Sequence, residues 1–427
     1  MEVSLGDKRE KEDEKNMRTV QNVGQRKKAV VIAFTKGGSE LAASLCCRFP
    51  EEWEHGEAWE IHAFVPERFW QQDWQEGEAG NTNRSAEKRG NTSANIGTDM
   101  AANRSVDRSA GVKARIHVRT QSLSEWTAEQ FVSSDALIFI GAAGIAVRAV
   151  APFLKDKLKD PAVLVIDEKA QYVIPILSGH VGGANLLAEK IAGILWAVPV
   201  ITTATDVNQR FAVDVFAVKN HLSIWNRDGI RQISGELLEG KPVGLFVDGG
   251  MAEGMAPEGV CVGVHCEKNI YITAVRREDW VWEAQEGKAI LLIPRNVTLG
   301  IGCRRGVEAD VIEWKVQETL AAYSLFTEAV CQVASVDRKR DEAGLLELTA
   351  RHGWDFVTFP ADELQEVSGE FQESAFVKRT IGVGNVCERA AVLASGGLLR
   401  IPKQAGDGVT VAAAWGKIRV SFDGKKA

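Results

Sequence analysis

The sequence predicts an α/β protein of several domains, in which strand–glycine–helix units form mostly parallel sheets in the N- and C-terminal domains. Short apolar runs, such as 136–140 and 162–166, alternate with segments whose apolar residues recur at helical spacing. Glycine-rich corners join several of these runs to the helix that follows, as at 141–144 and 178–185. In sheets built this way, ligands bind outside the carboxyl ends of the strands.

An N-terminal α/β domain is expected over 28–210, after a charged, disordered head at 1–27. Its predicted strands span 28–35, 59–65, 114–119, 136–140, 162–166 and 172–177. Its predicted helices span 37–49 and 124–132, pass through Val147 and Val150, and follow the corner at 178–185. The segment from about 75 to 110 has almost no large apolar side chains, which predicts a mobile polar insertion.

The second half of the chain divides into a middle region and a C-terminal domain. The middle region, 211–287, is expected to hold helices and short strands, and it carries no functional motif that we recognise. The C-terminal α/β domain, 288–427, opens with a strand at 291–294. Glycine corners at 299–306 and 380–386 then each precede a helix.

Charge and composition limit the classes of function. The chain has 427 residues and a formal net charge of −7, which argues against a general nucleic-acid binder, because such proteins neutralise phosphates with basic faces. No apolar run approaches the roughly 20 residues that a bilayer requires, and the charged start lacks the apolar core of a signal peptide. We therefore expect a cytoplasmic protein that binds neither nucleic acid nor membrane.

The cysteines predict neither disulfides nor a metal centre. Seven cysteines form an odd set without the spacing of a disulfide framework, so reduced thiols are expected. Cys261, His265 and Cys266 resemble metal ligands, but no second pair at zinc spacing accompanies them. We expect no protein-bound metal.

The corner at 178–185 carries the side chain best suited to catalysis. His180 is the only group there that changes charge near neutral pH, which suits general acid–base work. Its neighbouring glycines let a ligand approach the main chain, and the N–H groups at the helix start favour an anion or oxyanion. A capping or packing role for His180 is the alternative. A second corner follows, with Thr202, Thr203 and Asp206.

The remaining glycine corners do not match nucleotide-binding motifs. Gly300, Gly302 and Gly306 have the spacing G-x-G-x-x-x-G, one residue longer than the dinucleotide fingerprint, and no phosphate-binding loop ending in G-K-S/T occurs. A nucleotide-dependent oxidoreductase is therefore disfavoured. Several corners with arginines or a histidine nearby suggest instead a broad ligand with several carboxylates.

These motifs together resemble a known enzyme family. The segments GAAGIAVRAVAPFLKDK, DPAVLVIDEKAQYVIPILSGHVGGANLLAEKIA and VPVITTATD resemble the N-terminal half of the cobalt-precorrin-5A hydrolases of anaerobic cobalamin biosynthesis. LGIGCRRGVEAD, TIGVGNVCERAAVLASGG and LLRIPKQAGDGVTVAAAWG are similar to the C-terminal domain of that family. The resemblance covers 28–65 and 114–420, and the head and the polar insertion depart from the usual pattern.

The resemblance implies a hydrolase acting on carbon–carbon bonds. Family members open the ring A δ-lactone of a contracted cobalt tetrapyrrole and expel carbon 20 with its methyl group as acetaldehyde, which gives cobalt-precorrin-5B. Cobalt belongs to the substrate, so no cofactor is expected, and other cobalamin-pathway enzymes are the expected protein partners. A protein that binds or channels corrinoid intermediates without chemistry is the alternative.

The residues can be fitted to that chemistry as hypotheses. His180 is assigned as the base, with Asp206 or Glu168 orienting it or taking a second proton. The oxyanion is expected to accept hydrogen bonds from the backbone N–H groups of Gly182 and Gly183, or from those of the corner between Gly141 and Gly144. Peripheral carboxylates of the substrate are assigned to Arg148, Arg304, Arg305 and Lys403. The other expected substrate contacts are Ser178, Gly179, Asn185, Thr202, Thr203, Gly300, Gly302, Gly382 and Gly384.

Overall fold

The computed structural model describes residues 26–53, 58–70, 115–156, 159–374, 379 and 382–423. The head, except for its last two residues, and the insertion expected at 75–110 lie outside the described residues. The described chain divides into two compact units, one ending at Thr203 and the other beginning at Ala204. Within the described ranges, no helix is both long enough and apolar enough to cross a bilayer.

The first unit contains each strand and helix predicted there, with bounds that differ by two residues or fewer. The elements are β1 (Lys27–Ala33), α1 (Lys36–Arg48), β2 (Trp59–Pro66), β3 (Ile116–Arg119), α2 (Leu123–Ser133), β4 (Ala136–Ile140), α3 (Ala143–Val150), β5 (Ala162–Ile166), β6 (Tyr172–Leu177), α4 (Ala184–Leu195) and β7 (Val198–Pro199). Both glycine corners predicted here therefore lie between a strand and a helix.

One sheet of seven strands, in the order β3-β2-β1-β4-β5-β6-β7, organises this unit. Strands β1 to β5 are parallel, which confirms the predicted mixed α/β class. Strand β6 runs antiparallel to β5, with Ile166 opposite Val173 and Val163 opposite Leu177. The carboxyl end of β6 therefore lies at the sheet edge opposite to the carboxyl ends of β1 to β5.

The turn at 167–170 causes this reversal. The Asp167 carboxylate accepts hydrogen bonds from the Lys169 N–H at 2.9 Å and the Tyr172 N–H at 2.6 Å. An aspartate that binds backbone groups two or more residues on is a common turn device. Ala170 adopts a left-handed conformation, with φ 54°, which completes the hairpin.

Apolar side chains cover both faces of the central strands. Strands β4 and β5 are buried at every residue, which is typical of parallel strands between two helical layers. On one face, Val31, Ile138 and Leu164 belong to a core cluster that includes residues of α1 and α4. On the other face, Val30 and Phe139 pack with residues of α2 and α3. The sheet therefore holds its corner loops on a rigid support.

The second unit contains two larger sheets. Its elements are α5 (Ala204–Val207), α6 (Val213–Lys219), β8 (Leu222–Ile224), α7 (Asp228–Leu238), β9 (Val243–Val247), β10 (Met251–Glu253), β11 (Val260–Val262), β12 (Lys268–Ile272), α8 (Glu278–Gln285), β13 (Ala289–Pro294), β14 (Val297–Cys303), α9 (Ala309–Ala322), β15 (Val330–Val336), α10 (Ala343–His352), β16 (Asp355–Phe359), α11 (Ala361–Glu366), α12 (Cys387–Ser395), β17 (Leu398–Gly406), β18 (Val409–Trp415) and β19 (Arg419–Ser421).

The middle sheet has the order β11-β9-β12-β13-β8, and the C-terminal sheet has the order β16-β15-β14-β18-β17. The strand at 291–294, which we expected to open the C-terminal domain, is part of β13 and pairs with β12 and β8. The middle sheet thus continues beyond residue 287. A short sheet of β10 and β19 also ties the chain end to the middle region. The apolar run predicts a strand, but its pairing partner is a tertiary property.

Candidate functional site

The loop at 178–183, here called the histidine corner, connects β6 to α4 in a strained conformation. Ser178 has φ 56°, in the left-handed region that non-glycine residues rarely adopt. Its hydroxyl donates to the Asp160 carbonyl at 2.9 Å, and its own carbonyl accepts from the Ala184 N–H at 3.1 Å. Backbone strain that the surroundings hold in place is concentrated at functional sites. This corner is therefore a candidate site on geometry as well as on composition.

The glycines of the histidine corner make room mainly for the chain itself. A Cβ on Gly182 would overlap Ser178 Cβ and lie 2.9 Å from the Ser178 carbonyl oxygen. A Cβ on Gly179 would lie 2.8 Å from Asn185 Oδ1. Only Gly183, with φ 78°, has open space where a Cβ would be. The missing side chains of Gly179 and Gly182 thus make room for Ser178 and Asn185, whereas Gly183 leaves its Cβ position open to a ligand.

The second predicted corner lies beside the histidine corner. Strand β7 runs parallel to β6, so both strands end at the same sheet edge. The Asn185 amide donates to Thr203 Oγ1 at 3.0 Å, which joins the two corners directly. Thr202 is exposed, whereas His180 and Ser178 are half-buried. The structure therefore brings these polar side chains to one edge of the sheet.

The backbone donors of the histidine corner are largely occupied. The N–H groups of Gly183 and Asn185 donate to the carbonyls of His180 at 2.9 Å and Gly179 at 3.0 Å. The Gly183 N–H is thus engaged inside the corner, which corrects its assignment to the oxyanion. The Gly182 N–H makes no hydrogen bond to the described part of the chain, so it is the candidate donor that the hypothesis retains.

Glu168 and Gly141 lie at the opposite edge of the sheet from His180. Glu168 follows β5, and its carboxylate accepts from Thr35 Oγ1 at 2.5 Å. Val173, which pairs with the last residue of β5, is four residues from the end of β6, or roughly 13 Å at 3.3 Å per residue. Glu168 therefore cannot orient His180, and this part of the hypothesis is wrong.

The glycine corner at 141–144 lies at the carboxyl ends of the parallel strands, away from the histidine corner. It follows β4, which lies next to β1 in the sheet, and it is close to the start of α1. Gly141 has φ 153°, and a Cβ there would lie 3.3 Å from the Phe34 ring. Arg148 reaches back along α3 to Gly144, so its guanidinium lies near the same edge. These groups cannot share one oxyanion with the histidine corner.

Asp206 belongs to the second unit. It lies in α5, and its carbonyl accepts from the Gln209 N–H at 3.0 Å. The catalytic role assigned to its side chain stays a prediction.

The glycines of the C-terminal sheet serve close packing. A Cβ on Gly300 would overlap the Cys387 carbonyl, because α12 crosses β14 there. A Cβ on Gly302 would lie 2.7 Å from Thr410 Oγ1, and one on Gly384 would overlap the Glu373 carboxylate. Gly382 has open space and φ 96°. Of these four expected ligand contacts, only Gly382 offers exposed main chain.

The basic residues of the C-terminal sheet differ in their surroundings. Arg305 forms an exposed ion pair with Asp341 at 3.2 Å. Arg304 packs its side chain along Gly408, and its N–H donates to the Gly408 carbonyl at 2.9 Å. Lys403 lies in an irregular part of β17, between Ile401 and Gln404, where the register shifts.

Sequence reasoning missed Glu388, which fixes the loop before α12. Its side chain is buried, with 1% of the residue exposed. It accepts from the N–H groups of Gln372 at 2.9 Å and Lys403 at 2.7 Å, and from Asn385 Nδ2 at 2.6 Å. The Asn385 side chain accepts in return from the Glu388 N–H at 2.9 Å. This spacing is that of a helix capping box, which is the signal that could have identified the pair.

A histidine pair on β2 and β3 was also missed. His62 Nδ1 and His117 Nε2 lie 3.0 Å apart, beside a cavity of about 510 Å³ that Lys28 and Arg119 also line. Burial lowers the pKa of both imidazoles, and the nearby His62 lowers that of His117 further. Both histidines are therefore held neutral near pH 7. One histidine in each of two separated strands carries no signal before their pairing is known.

All seven cysteines lie within the described ranges, and each has a free thiol there. Burial raises the pKa of Cys387 to about 11, so that thiol is unreactive. Among the described residues, no group of three or more histidine, cysteine, aspartate or glutamate side chains could hold a metal ion. His265 instead lies 3.2 Å from a Glu283 carboxylate oxygen.

Comparison with known proteins supports the resemblance read from the motifs. Residues 125–206 match the family described as Cobalamin synthesis G N-terminal, and residues 297–414 match Cobalamin synthesis G C-terminus. The chain is 38% identical over 295 residues to the cobalt-precorrin-5A hydrolase of Salmonella typhimurium, covering 67% of this chain and 83% of that protein. It is 34% identical to the cobalt-precorrin-5A hydrolase of Priestia megaterium, covering 66% and 79%. A solved cobalamin biosynthesis protein G homologue from Sulfolobus solfataricus aligns over 91% of this chain and 97% of its own, at 20% identity and a TM-score of 0.34.

Proposed function

This chain belongs to the cobalt-precorrin-5A hydrolase family, and on that premise we propose that it hydrolyses cobalt-precorrin-5A. It opens the ring A δ-lactone and releases carbon 20 with its methyl group as acetaldehyde, which leaves cobalt-precorrin-5B. The observation that carries this proposal is the 38% identity to the Salmonella enzyme over 83% of its length. The enzyme works in the cytoplasm, where thiols such as its seven free cysteines stay reduced.

The first chemical step is addition of water to the lactone carbonyl. His180 takes one proton from the attacking water while the carbonyl oxygen becomes an oxyanion. The Gly182 N–H donates to that oxyanion, and it is held in place because the corner around it is closed by hydrogen bonds. When the tetrahedral intermediate collapses, the ring C–O bond breaks and the proton passes from His180 to the leaving alkoxide. The products are a carboxylic acid, which loses its proton to solvent, and a hydroxyethyl group.

The second step breaks a carbon–carbon bond. A base removes the proton of the hydroxyethyl hydroxyl, the C=O bond of acetaldehyde forms, and the bond to the macrocycle breaks. The electron pair of that bond enters the conjugated tetrapyrrole, whose cobalt is part of the substrate. His180 acts as the second base. Glu168 is excluded from this role by its position at the other edge of the first sheet.

Polar groups around His180 suit a lactone. Ser178, Asn185 and Thr203 lie at the same edge, and the exposed hydroxyl of Thr202 adds a donor. Since the substrate carries several peripheral carboxylates, Arg304 and Lys403 remain candidates to bind them, by charge-assisted hydrogen bonds. Arg305 is a weaker candidate because it already pairs with Asp341.

Acetaldehyde release from cobalt-precorrin-5A under anaerobic conditions tests the function. We expect release by the wild type, and a loss of turnover of about 100-fold or more in His180→Ala. His221→Ala is the matched control, because His221 is an exposed histidine of the second unit with no proposed role. Equal turnover in all three proteins would keep the function and remove His180 as the base. Bound substrate without acetaldehyde would contradict the function and favour a carrier of corrinoid intermediates.

A further inference from the structure

The middle sheet has a crevice at the point where its chain connections diverge. Strand β9 lies between β11 and β12, and all three are parallel. The chain leaving β9 returns through β11 on one side, whereas the chain leaving β12 continues through α8 to β13 on the other side. Divergent connections open a crevice at the carboxyl ends of the strands, and ligands of α/β sheets bind at such points.

A cavity of about 340 Å³ occupies this crevice. Its lining includes Phe246, Asp248, Met251, Val262, Arg277 and Trp280. Met251 and Val262 are 46% and 47% exposed, so the cavity keeps apolar surface in contact with water. The volume lies near the lower end of the roughly 300–1,000 Å³ range of ligand pockets. It therefore suits a small ligand or one arm of a large ligand.

Arg277 supplies the main hydrogen-bond donors of the cavity. Its guanidinium lies 4.2 Å from the centroid of the Trp280 ring, and Trp280 stacks on Tyr271 with ring centroids 4.3 Å apart and an interplanar angle of 5°. These contacts limit the orientations that the guanidinium can adopt. Its hydrogen bond within the described structure is a long one, from Nη2 to Asp279 at 3.4 Å. A guanidinium has five N–H donors in a fork that matches a carboxylate, so most of its capacity is open to a ligand.

The carboxylates of Asp248 and Asp279 lie near Arg277 but leave most of its N–H groups open to a ligand. Asp248 Oδ1 lies 3.9 Å from Arg277 Nη1, beyond hydrogen-bond distance, and its Oδ2 accepts from Thr273 Oγ1 at 2.9 Å. Asp279 is 62% exposed in its side chain, so solvent screens its charge. Gly249 and Gly263 border the cavity, and neither has a neighbour where a Cβ would be. The main chain can therefore also contact a ligand.

We propose that this cavity binds one carboxylate-bearing arm of the tetrapyrrole substrate, as a recognition site in the middle region. Arg277 binds the carboxylate through paired N–H groups, and Phe246, Met251 and Val262 cover the methylene groups of the arm. The identity of the ligand rests on the proposed function; the site itself rests on the cavity, its position in the sheet and the orientation of Arg277.

Binding of dicyanocobyrinic acid, a stable cobalt corrinoid with free carboxylates, tests the site by calorimetry on the full chain. Its heptamethyl ester is the matched ligand without negative charge. We expect wild type to bind the acid at least about tenfold more tightly than the ester, as a charged hydrogen bond implies. Arg277→Met should reduce that difference by about tenfold, and Val262→Phe, which fills the cavity, should weaken both ligands. Val264→Phe is the control, because Val264 is exposed and lies outside the cavity lining.

Three results would overturn the site: no binding of the acid to wild type, equal binding of acid and ester, or undiminished binding of the acid by a folded Arg277→Met or Val262→Phe variant. Acetaldehyde release separates this failure from failure of the function. If the site is right, Arg277→Met raises KM for cobalt-precorrin-5A about tenfold and leaves kcat unchanged. Turnover with unchanged KM contradicts the site alone, whereas selective binding of the acid without turnover in wild type contradicts the function alone.

Discussion

One added methyl group at Gly182 tests whether the histidine corner needs its present shape. In Gly182→Ala, the new Cβ would overlap Ser178 Cβ and lie 2.9 Å from the Ser178 carbonyl oxygen, whereas carbon atoms prefer separations of about 3.5–4.0 Å. Ser178 cannot move away freely, because two hydrogen bonds hold it. Its hydroxyl donates to the Asp160 carbonyl at 2.9 Å, and its carbonyl accepts from the Ala184 N–H at 3.1 Å. The corner must therefore shift by several tenths of an ångström or more.

Such a shift should reduce stability and activity together. Overpacking of this kind costs about 1–3 kcal/mol of the free energy of unfolding. A displacement near 1 Å at the reacting groups lowers turnover by roughly 100-fold. The loss of activity should therefore exceed what a loss of folded protein explains. Urea denaturation and acetaldehyde release, measured on the same preparations, separate the two effects.

Two alanine variants on the same segment are the controls. Gly193 lies in α4 with open space around it and an ordinary helical φ, so Gly193→Ala should stabilise the protein by about 0.5–1 kcal/mol without changing kcat. Gly183 also has open space but φ 78°, so Gly183→Ala should cost about 1–2 kcal/mol from backbone strain alone. If Gly182→Ala matches wild type in unfolding and turnover, the argument that the corner is tightly closed is refuted.

Three further predictions concern other parts of the chain. Because burial lowers the pKa of His62 and His117, stability should be full above about pH 6.5 and fall as the pH drops below it; replacing both with glutamine should flatten that fall in thermal melts. In Glu388→Gln, the new NH₂ group faces one of the three hydrogen-bond donors, which should cost about 1–3 kcal/mol of the free energy of unfolding in urea; a cost below about 0.5 kcal/mol would contradict the proposed network. Gly300→Ala should push α12 away from β14 and destabilise the chain by about 3 kcal/mol or more; a folded variant with wild-type Tm would show that the helix can move freely.

The elements of the first unit could be predicted because local signals determine them. Strand β4, Ala136–Ile140, and strand β5, Ala162–Ile166, are uninterrupted apolar runs, which is what burial on both faces requires. The direction of β6 was not predicted, although Asp167 at the start of its turn was a usable signal. Strand–helix alternation suggested a parallel arrangement, and a single hairpin changed the edge at which His180 lies.

The candidate site was predicted in part because residue type indicates chemistry but not neighbours. Asn185 and Thr203, named from two separate corners of the sequence, are joined by a hydrogen bond. The glycines were harder to interpret, because a glycine that admits a ligand and one that admits another part of the chain look alike in sequence. At Gly182 and Gly300 the space is taken by Ser178 and by α12. The cavity beside Arg277 was missed because strand order, which creates it, is not a local property.

The reversed direction of β6 also gives the first unit two sets of loops that can change separately. Loops after β1 and β4 lie at one edge, and the histidine corner lies at the other, with a rigid layer of buried strands between them. Substitutions so far apart are expected to add in their effects on stability. Over evolution, such a sheet can gain or lose a binding surface at one edge while the other edge keeps its chemistry. A single hairpin is sufficient to let the two edges change independently.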